Sequence, residues 1–199
     1  MYPVQFDLAS WKIAEGALKG KSLKETVPGI SFACQIVKGK GPFEVPGDGV
    51  GFALHAGTVK GGEEPAILKK GEALTLSGKI VLDSEVVLFV VYSTEPPHGK
   101  PLAVAKVVPH HLQSDFHHQW VLLLRLKEFV VDRMNVFDRL AIGVIPKTYQ
   151  IFFCVEEGAT LSVDGHTAKL EMNAAYCIPA ESHQIVIEGR CQVLRIRLD

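Results

Sequence analysis

The sequence has almost no net charge, few cysteines and no long apolar run, and each shortage removes a class of function. Lys and Arg number 21 against 22 Asp and Glu, for a formal charge of −1 and a pI near 6.7. No basic field is therefore available to hold a nucleic-acid backbone or an anionic bilayer. The longest apolar run, Val86–Tyr92, suits a buried strand and falls far short of the ~20 residues of a membrane helix. Residues Met1–Gly20 carry Asp7, Lys12, Glu15 and Lys19 with no continuous apolar stretch, unlike a secretory signal. The expectation is a soluble cytoplasmic protein with neither nucleic-acid nor membrane partners. The four cysteines, Cys34, Cys154, Cys177 and Cys191, form no Cys-x-x-Cys pair and sit among apolar neighbours. That pattern fits buried thiols in a reducing compartment, while the spacing leaves a disulfide open. No Gly-x-Ser-x-Gly, P-loop or dinucleotide fingerprint occurs; Gly39-Lys40-Gly41 and Gly47-Asp48-Gly49 are too short and read as turns.

What is present is a packed core and abundant turn chemistry. Apolar residues make up 47% and charged residues 22% of 199 positions, enough for one large all-β domain or two small ones. Short apolar runs such as Ile30–Val37, Gly51–Val59, Trp120–Leu126 and Gln150–Val155 alternate with Pro46-Gly47-Asp48-Gly49, Gly61-Gly62, Glu156-Glu157-Gly158 and Glu188-Gly189. Many short strands with this punctuation indicate a sandwich or barrel. Ala159–Val163 alternates apolar and polar residues, and Asp164-Gly165 follows as a hairpin turn. Helices are scarce: Leu8–Leu18 could form a short one, as could part of Val121–Leu140, although Trp120–Lys127 reads equally well as a strand. The chain also repeats loosely. Ala66–Ala73 lines up with Ala168–Ala175, and Gly57 with Gly158.

Two segments carry a family resemblance. Tyr149–Gly165 is a strand, a glycine turn at Gly158 and a hairpin to Gly165, and it resembles the first conserved segment of the cupin superfamily. Leu170–Ile185, with Asn173, Pro179 and His183, resembles the second, and Val186–Ile196 is similar to the C-terminal strands of the cupin domain in mannose-6-phosphate isomerases. The resemblance implies an all-β fold of two cupin-type jelly-roll β-barrels in tandem. An N-terminal segment (1–30) is expected to pack on the barrels. A degenerate first barrel covers 31–93, a linker with shared strands 94–139, and the second barrel 140–199.

The resemblance also locates the family's metal ligands, and most are missing. In the second half the glutamate falls on Ile151 and the histidine pair within Val144–Lys147, which reads Val-Ile-Pro-Lys. Only His183 remains. In the first half Val50 takes the glutamate's place, and Glu44 and Pro46 fall in the histidine window. Transition metals need imidazole, carboxylate or thiolate donors, so no cofactor is expected in either barrel.

The function implied is a non-catalytic two-barrel protein that binds a small polar ligand, a sugar or a carboxylate, or that serves in assembly. The alternative is an enzyme. It would be a metal-free sugar isomerase or epimerase with His183 as its base, or a metal enzyme with relocated ligands. Ligand-binding candidates are Tyr149, Phe152, Tyr176 and His183, and His183 is also the catalytic candidate. Ser182-His183 is no nucleophile–base dyad, because neighbours on a strand face opposite ways. The metal candidates are His110, Asp115 and His117, within the cluster His110–His118. Alternate members at most could converge there, and the plain reading is a polar connector. A homodimer paired through barrel edges completes the expectation.

Overall fold

The computed structural model describes residues 12–13, 32–83, 86–97, 99–143, 148–178, 180 and 182–198. Among them the regular structure is all strand. The chain has a jelly-roll β fold, and its contacts divide it into two compact units. The helix expected over Leu8–Leu18 is not seen where it is described: Lys12–Ile13 is a short strand, β1. Its other residues, like Val144–Lys147 and Pro179, lie outside the described set. The second helical alternative also fails, because the β-branched and leucine-rich stretch from Val121 onward is strand.

In the N-terminal unit the strands are β2 (Phe32–Lys38), β3 (Gly41–His55), β4 (Gly57–Lys60), β5 (Ala66–Leu68), β6 (Ala73–Leu82) and β7 (Val87–Ser93). They form one six-stranded antiparallel sheet in the order β2-β7-β3-β6-β4-β5. The long β3 changes register against β6 between Val45 and Gly49. Gly49 is required there, since a Cβ would lie 2.3 Å from the carbonyl oxygen of Val91. Val45, Ala53, Leu74, Leu76, Ile80, Leu88 and Val90 fill the core of this unit.

The C-terminal unit adds β8 (His110–Ser114), β9 (His118–Arg125), β10 (Val130–Val136), β11 (Arg139–Gly143), β12 (Gln150–Glu156), β13 (Ala159–Val163), β14 (His166–Lys169), β15 (Ala175–Ile178), β16 (Gln184–Gly189) and β17 (Cys191–Arg197). A seven-stranded sheet runs β1-β15-β12-β17-β10-β9-β8, and a four-stranded sheet runs β11-β16-β13-β14. One core joins Phe152, Cys154, Met134, Tyr176 and Val193 of the first sheet to Leu140, Leu161, Ile185 and Ile187 of the second. Each such side chain contributes about 1.5–3 kcal/mol on burial. The expected hairpin is present: Val163 pairs with His166, and the turn residues Asp164 and Gly165 have φ of 49° and 84°. Two consecutive positive φ values match the right-handed twist of the flanking strands.

The internal repeat is physical. Ala53 donates to the Glu72 carbonyl and Gly71 donates back to that of Ala53; Cys154 donates to Ala174 and Asn173 donates back to Cys154. Gly71 and Asn173 both take positive φ, 87° and 62°. Each unit therefore closes the same turn against the same strand position.

Candidate functional site

Strand alternation in the C-terminal unit determines which side chains enter the barrel. On β12, Phe152 and Cys154 belong to the core between the sheets, so Gln150 faces inward and Ile151 outward. On β10, Met134 and Val136 face inward, and so does Asp132. On β17, Cys191 and Val193 face inward, followed by Arg195. Trp120 of β9 packs against the same core. Four adjacent strands therefore place Gln150, Arg195, Asp132 and Trp120 in one polar cluster inside an otherwise apolar barrel.

The cluster is sealed and incompletely paired. Asp132, Arg195 and Gln150 are 0%, 1% and 1% exposed. Arg195 Nε donates to Gln150 Oε1 at 2.7 Å, and its guanidinium carbon lies 5.2 Å from the centre of the Trp120 ring. Arg197 Nε approaches Asp132 Oδ2 at 3.5 Å. Among the described residues Arg195 Nη2 has no hydrogen-bond acceptor, while the Asp132 carboxylate is faced by the Arg197 guanidinium and the Trp120 indole without hydrogen bonds of full geometry. Thr148 Oγ1, two residues before Gln150, has no hydrogen-bond partner among them either. Buried polar atoms are hydrogen-bonded as a rule, so several orphans in one place mark a functional candidate.

Burial dominates the electrostatics. Desolvation pushes the Asp132 carboxyl above the usual aspartate range, against the pull of Arg197, Arg195 and the Trp120 indole. Burial also lowers Arg195 to about 10, with Asp132 opposing the shift. Arg195 thus stays cationic at neutral pH in a medium where a charge demands a partner.

Most of the residues singled out from sequence do other work. Phe152 is sealed in the core. The Tyr176 hydroxyl accepts from the Glu171 amide at 2.8 Å and donates to the Lys169 carbonyl at 2.9 Å, which makes it a structural tie. Tyr149 is half-buried just ahead of β12. His183, expected inside the barrel mouth, is on the surface: its side chain is 91% exposed. The Asp164 carboxylate holds the His183 and Gln184 amides, at 2.9 and 2.8 Å, and that anchor turns the imidazole outward.

The metal candidates do not converge. His110 lies on the fully exposed β8, opposite Leu122, which places the segment in a hairpin rather than a connector. Asp115 Oδ1 accepts the amides of His117 and His118 at 2.8 and 2.9 Å, while His117 Nδ1 lies 3.2 Å from Asp138. Among the described residues no three His, Cys, Asp or Glu side chains are placed to hold a metal. Inside the barrel the donor set does not fit a cupin-type metal either. The inward position on β12 carries an amide where Ile151 was expected to mark the glutamate's place, and the Arg195 cation beside it would repel a metal ion. In the N-terminal unit a groove of about 1190 Å³ runs past Gly61–Ile67 and Pro101–Lys106. Its lining mixes glycine and alanine with Glu63, Glu64, Ile67, Leu102 and Lys106.

No family model and no curated protein sequence matches this chain. Solved structures do. The mannose 6-phosphate isomerase of Bacillus subtilis superposes with a TM-score of 0.66 at 10% identity, over 89% of this chain and 79% of that one. The E. coli protein Ylba gives 0.63 at 11% identity, covering 86% and 78%. The cupin 2 conserved barrel domain protein of Leptotrichia buccalis gives 0.57 at 10% identity, covering 84% and 82%. These likenesses show the fold: the chain has the cupin jelly-roll architecture. No helix among the described residues is long and apolar enough to cross a membrane.

Proposed function

We propose that the C-terminal barrel is a non-catalytic binding site for a small polar ligand, held by a carboxylate seated on Arg195. One observation carries this reading: Arg195 is sealed inside the barrel, fixed by Gln150 and Trp120, with its Nη2 donor meeting no acceptor among the described residues. A guanidinium of fixed orientation is matched to a carboxylate, and in a low-dielectric site the pairing is strong. A sugar would supply only neutral hydroxyls, which make weaker hydrogen bonds to a guanidinium than a carboxylate does. The isomerase likeness is one of fold and brings no sugar-phosphate chemistry to this barrel.

The test is calorimetric titration of the untagged protein with small mono- and dicarboxylates and with neutral hexoses. Carboxylates should bind, Arg195→Met should weaken them by about tenfold or more, and His183→Ala should leave binding unchanged. Hexose binding that survives Arg195→Met would overturn the reading, as would loss of binding in His183→Ala.

A further inference from the structure

The groove of about 1190 Å³ in the N-terminal unit borders an open sheet edge. β5 ends the six-stranded sheet and pairs only with β4, Thr58 lying opposite Ile67. The Thr58 carbonyl accepts the Asp83 amide at 3.0 Å, so residue 58 bonds toward β6. Residue pairs of an antiparallel ladder bond alternately, so its partner Ile67 directs its amide and carbonyl out of the sheet. Neither group meets a partner among the described residues, and the Ile67 side chain is 68% exposed. Pro101–Lys106 forms the other wall. It is held by β6, where Ala105 accepts the Thr75 amide and Val107 donates to the Ala73 carbonyl. The walls meet at Gly62, where a Cβ would lie 2.4 Å from the Val104 carbonyl oxygen.

The side chains give this groove a charge. Glu63 and Glu64 line it, are exposed and form no ion pair among the described residues. Lys106, the cation in the lining, is paired with Glu72 at 2.9 Å. Pro65, Ile67, Leu102 and Val104 supply apolar surface. We propose that the groove docks an extended peptide segment of a partner protein, basic at one end and apolar along the rest, which adds to β5 as a further strand. Main-chain bonds to Ile67 give such a strand affinity, and its alternate side chains meet the groove. Glu63 and Glu64 precede β5, whereas Lys69 and Lys70 follow it outside the groove, so the basic end lies over the two glutamates. A small cation would match the carboxylates and leave the Ile67 backbone and the apolar wall unused. The volume also exceeds the about 300–1,000 Å³ usual for small-molecule sites. The proposal does not depend on the Arg195 reading.

The experiment is fluorescence anisotropy on the full chain with dye-labelled, end-blocked pentapeptides. Lys-Lys-Val-Ile-Val and Val-Ile-Val-Lys-Lys cover both strand directions. At least one should bind about tenfold or more tightly than its counterpart with glutamate in place of lysine. Methylating its backbone nitrogens should weaken it about tenfold. Glu63→Lys combined with Glu64→Lys changes only exposed side chains and should reverse the charge preference. No binding by either peptide, equal binding of the lysine and glutamate forms, undiminished binding after methylation, or binding unchanged in the double variant overturns the proposal. Spermine binding as tightly as the peptide would assign the groove to a small cation instead. A dimer of the chain that the double variant dissociates would assign it to a second copy, and either result displaces the peptide.

Discussion

Asp132 and Arg195 face one another across β10 and β17 with almost no solvent exposure, and the guanidinium bonds to Gln150 rather than to the carboxylate. This arrangement gives the barrel its polar interior and makes its stability depend on pH. Desolvation raises the Asp132 carboxyl above its ordinary value, so between the two values the folded protein binds more protons than the unfolded chain. Stability must therefore fall as pH rises through that window, from about pH 4 upward. Below the ordinary aspartate value both states are protonated and this contribution is constant. Urea unfolding across a pH series should show the decline in the wild-type protein and a flatter profile in Asp132→Asn. Parallel profiles would mean that the carboxyl ionises as freely as in the unfolded chain.

Gln150 is the only acceptor described for Arg195 Nε, at 2.7 Å in a site closed to water. Replacing it with leucine keeps the bulk and strands a buried charged donor, at a cost of about 1.5–3 kcal/mol. With Arg195→Met already in place the same change should cost little, because no donor is left to strand. A double-mutant cycle by denaturant unfolding should give a coupling energy of about 1–3 kcal/mol. Additive single costs would show that the two side chains do not depend on one another.

Turn chemistry was legible in the sequence because it is local. Asp164-Gly165 had to reverse the chain between two alternating strands, and the alignment of Gly71 with Asn173 anticipated two positive-φ turns bonded in the same way. The interior cluster was not legible, because it depends on which face of each strand is buried. Counting from Gly158 led to Ile151, one residue from the inward Gln150, and a slip of one residue exchanges the faces. In Leu194-Arg195-Ile196-Arg197 the arginines alternate with apolar residues, which reads as charge toward solvent. In the barrel Leu194 and Ile196 are buried as well, and Arg195 points inward. The usable signal was parity: Gln150, Asp132 and Arg195 share the phase of Phe152, Met134 and Val193. His183 misled for a related reason, since its position after a proline fixes the chain and says nothing about where the imidazole points.

The positive-φ residues should rank by what a Cβ would meet. At Gly158, φ is 128° and a Cβ would lie 2.6 Å from the Arg190 carbonyl oxygen, so Gly158→Ala forces the backbone to shift. At Gly71, φ is 87° with nothing within 4 Å, so Gly71→Ala carries only the conformational strain of about 1 kcal/mol. Asn173 already tolerates its φ of 62°, and Asn173→Gly should change stability by a few tenths of a kcal/mol. Thermal melts should therefore show losses in the order Gly158→Ala, Gly71→Ala, Asn173→Gly. Equal losses at Gly158 and Gly71 would mean that the contact with Arg190 relaxes without cost.

The thiols should be inert while the protein is folded. Burial pushes Cys154, Cys177 and Cys191 up to about 12, and Cys34 higher still. Cys154 and Cys191 are raised further by nearby acidic side chains. Because the thiolate is the reactive form, a thiol at about 12 is ionised to roughly one part in 10⁵ at pH 7, and these groups are also shielded by packing. Ellman's reagent at neutral pH should therefore label the native protein very slowly and all four cysteines once urea unfolds the chain. The native rate should follow the unfolding equilibrium as urea is added, because modification must wait for the barrel to open. Rapid labelling of one cysteine without denaturant would place that thiol in an electropositive, accessible setting and contradict the burial that raises it.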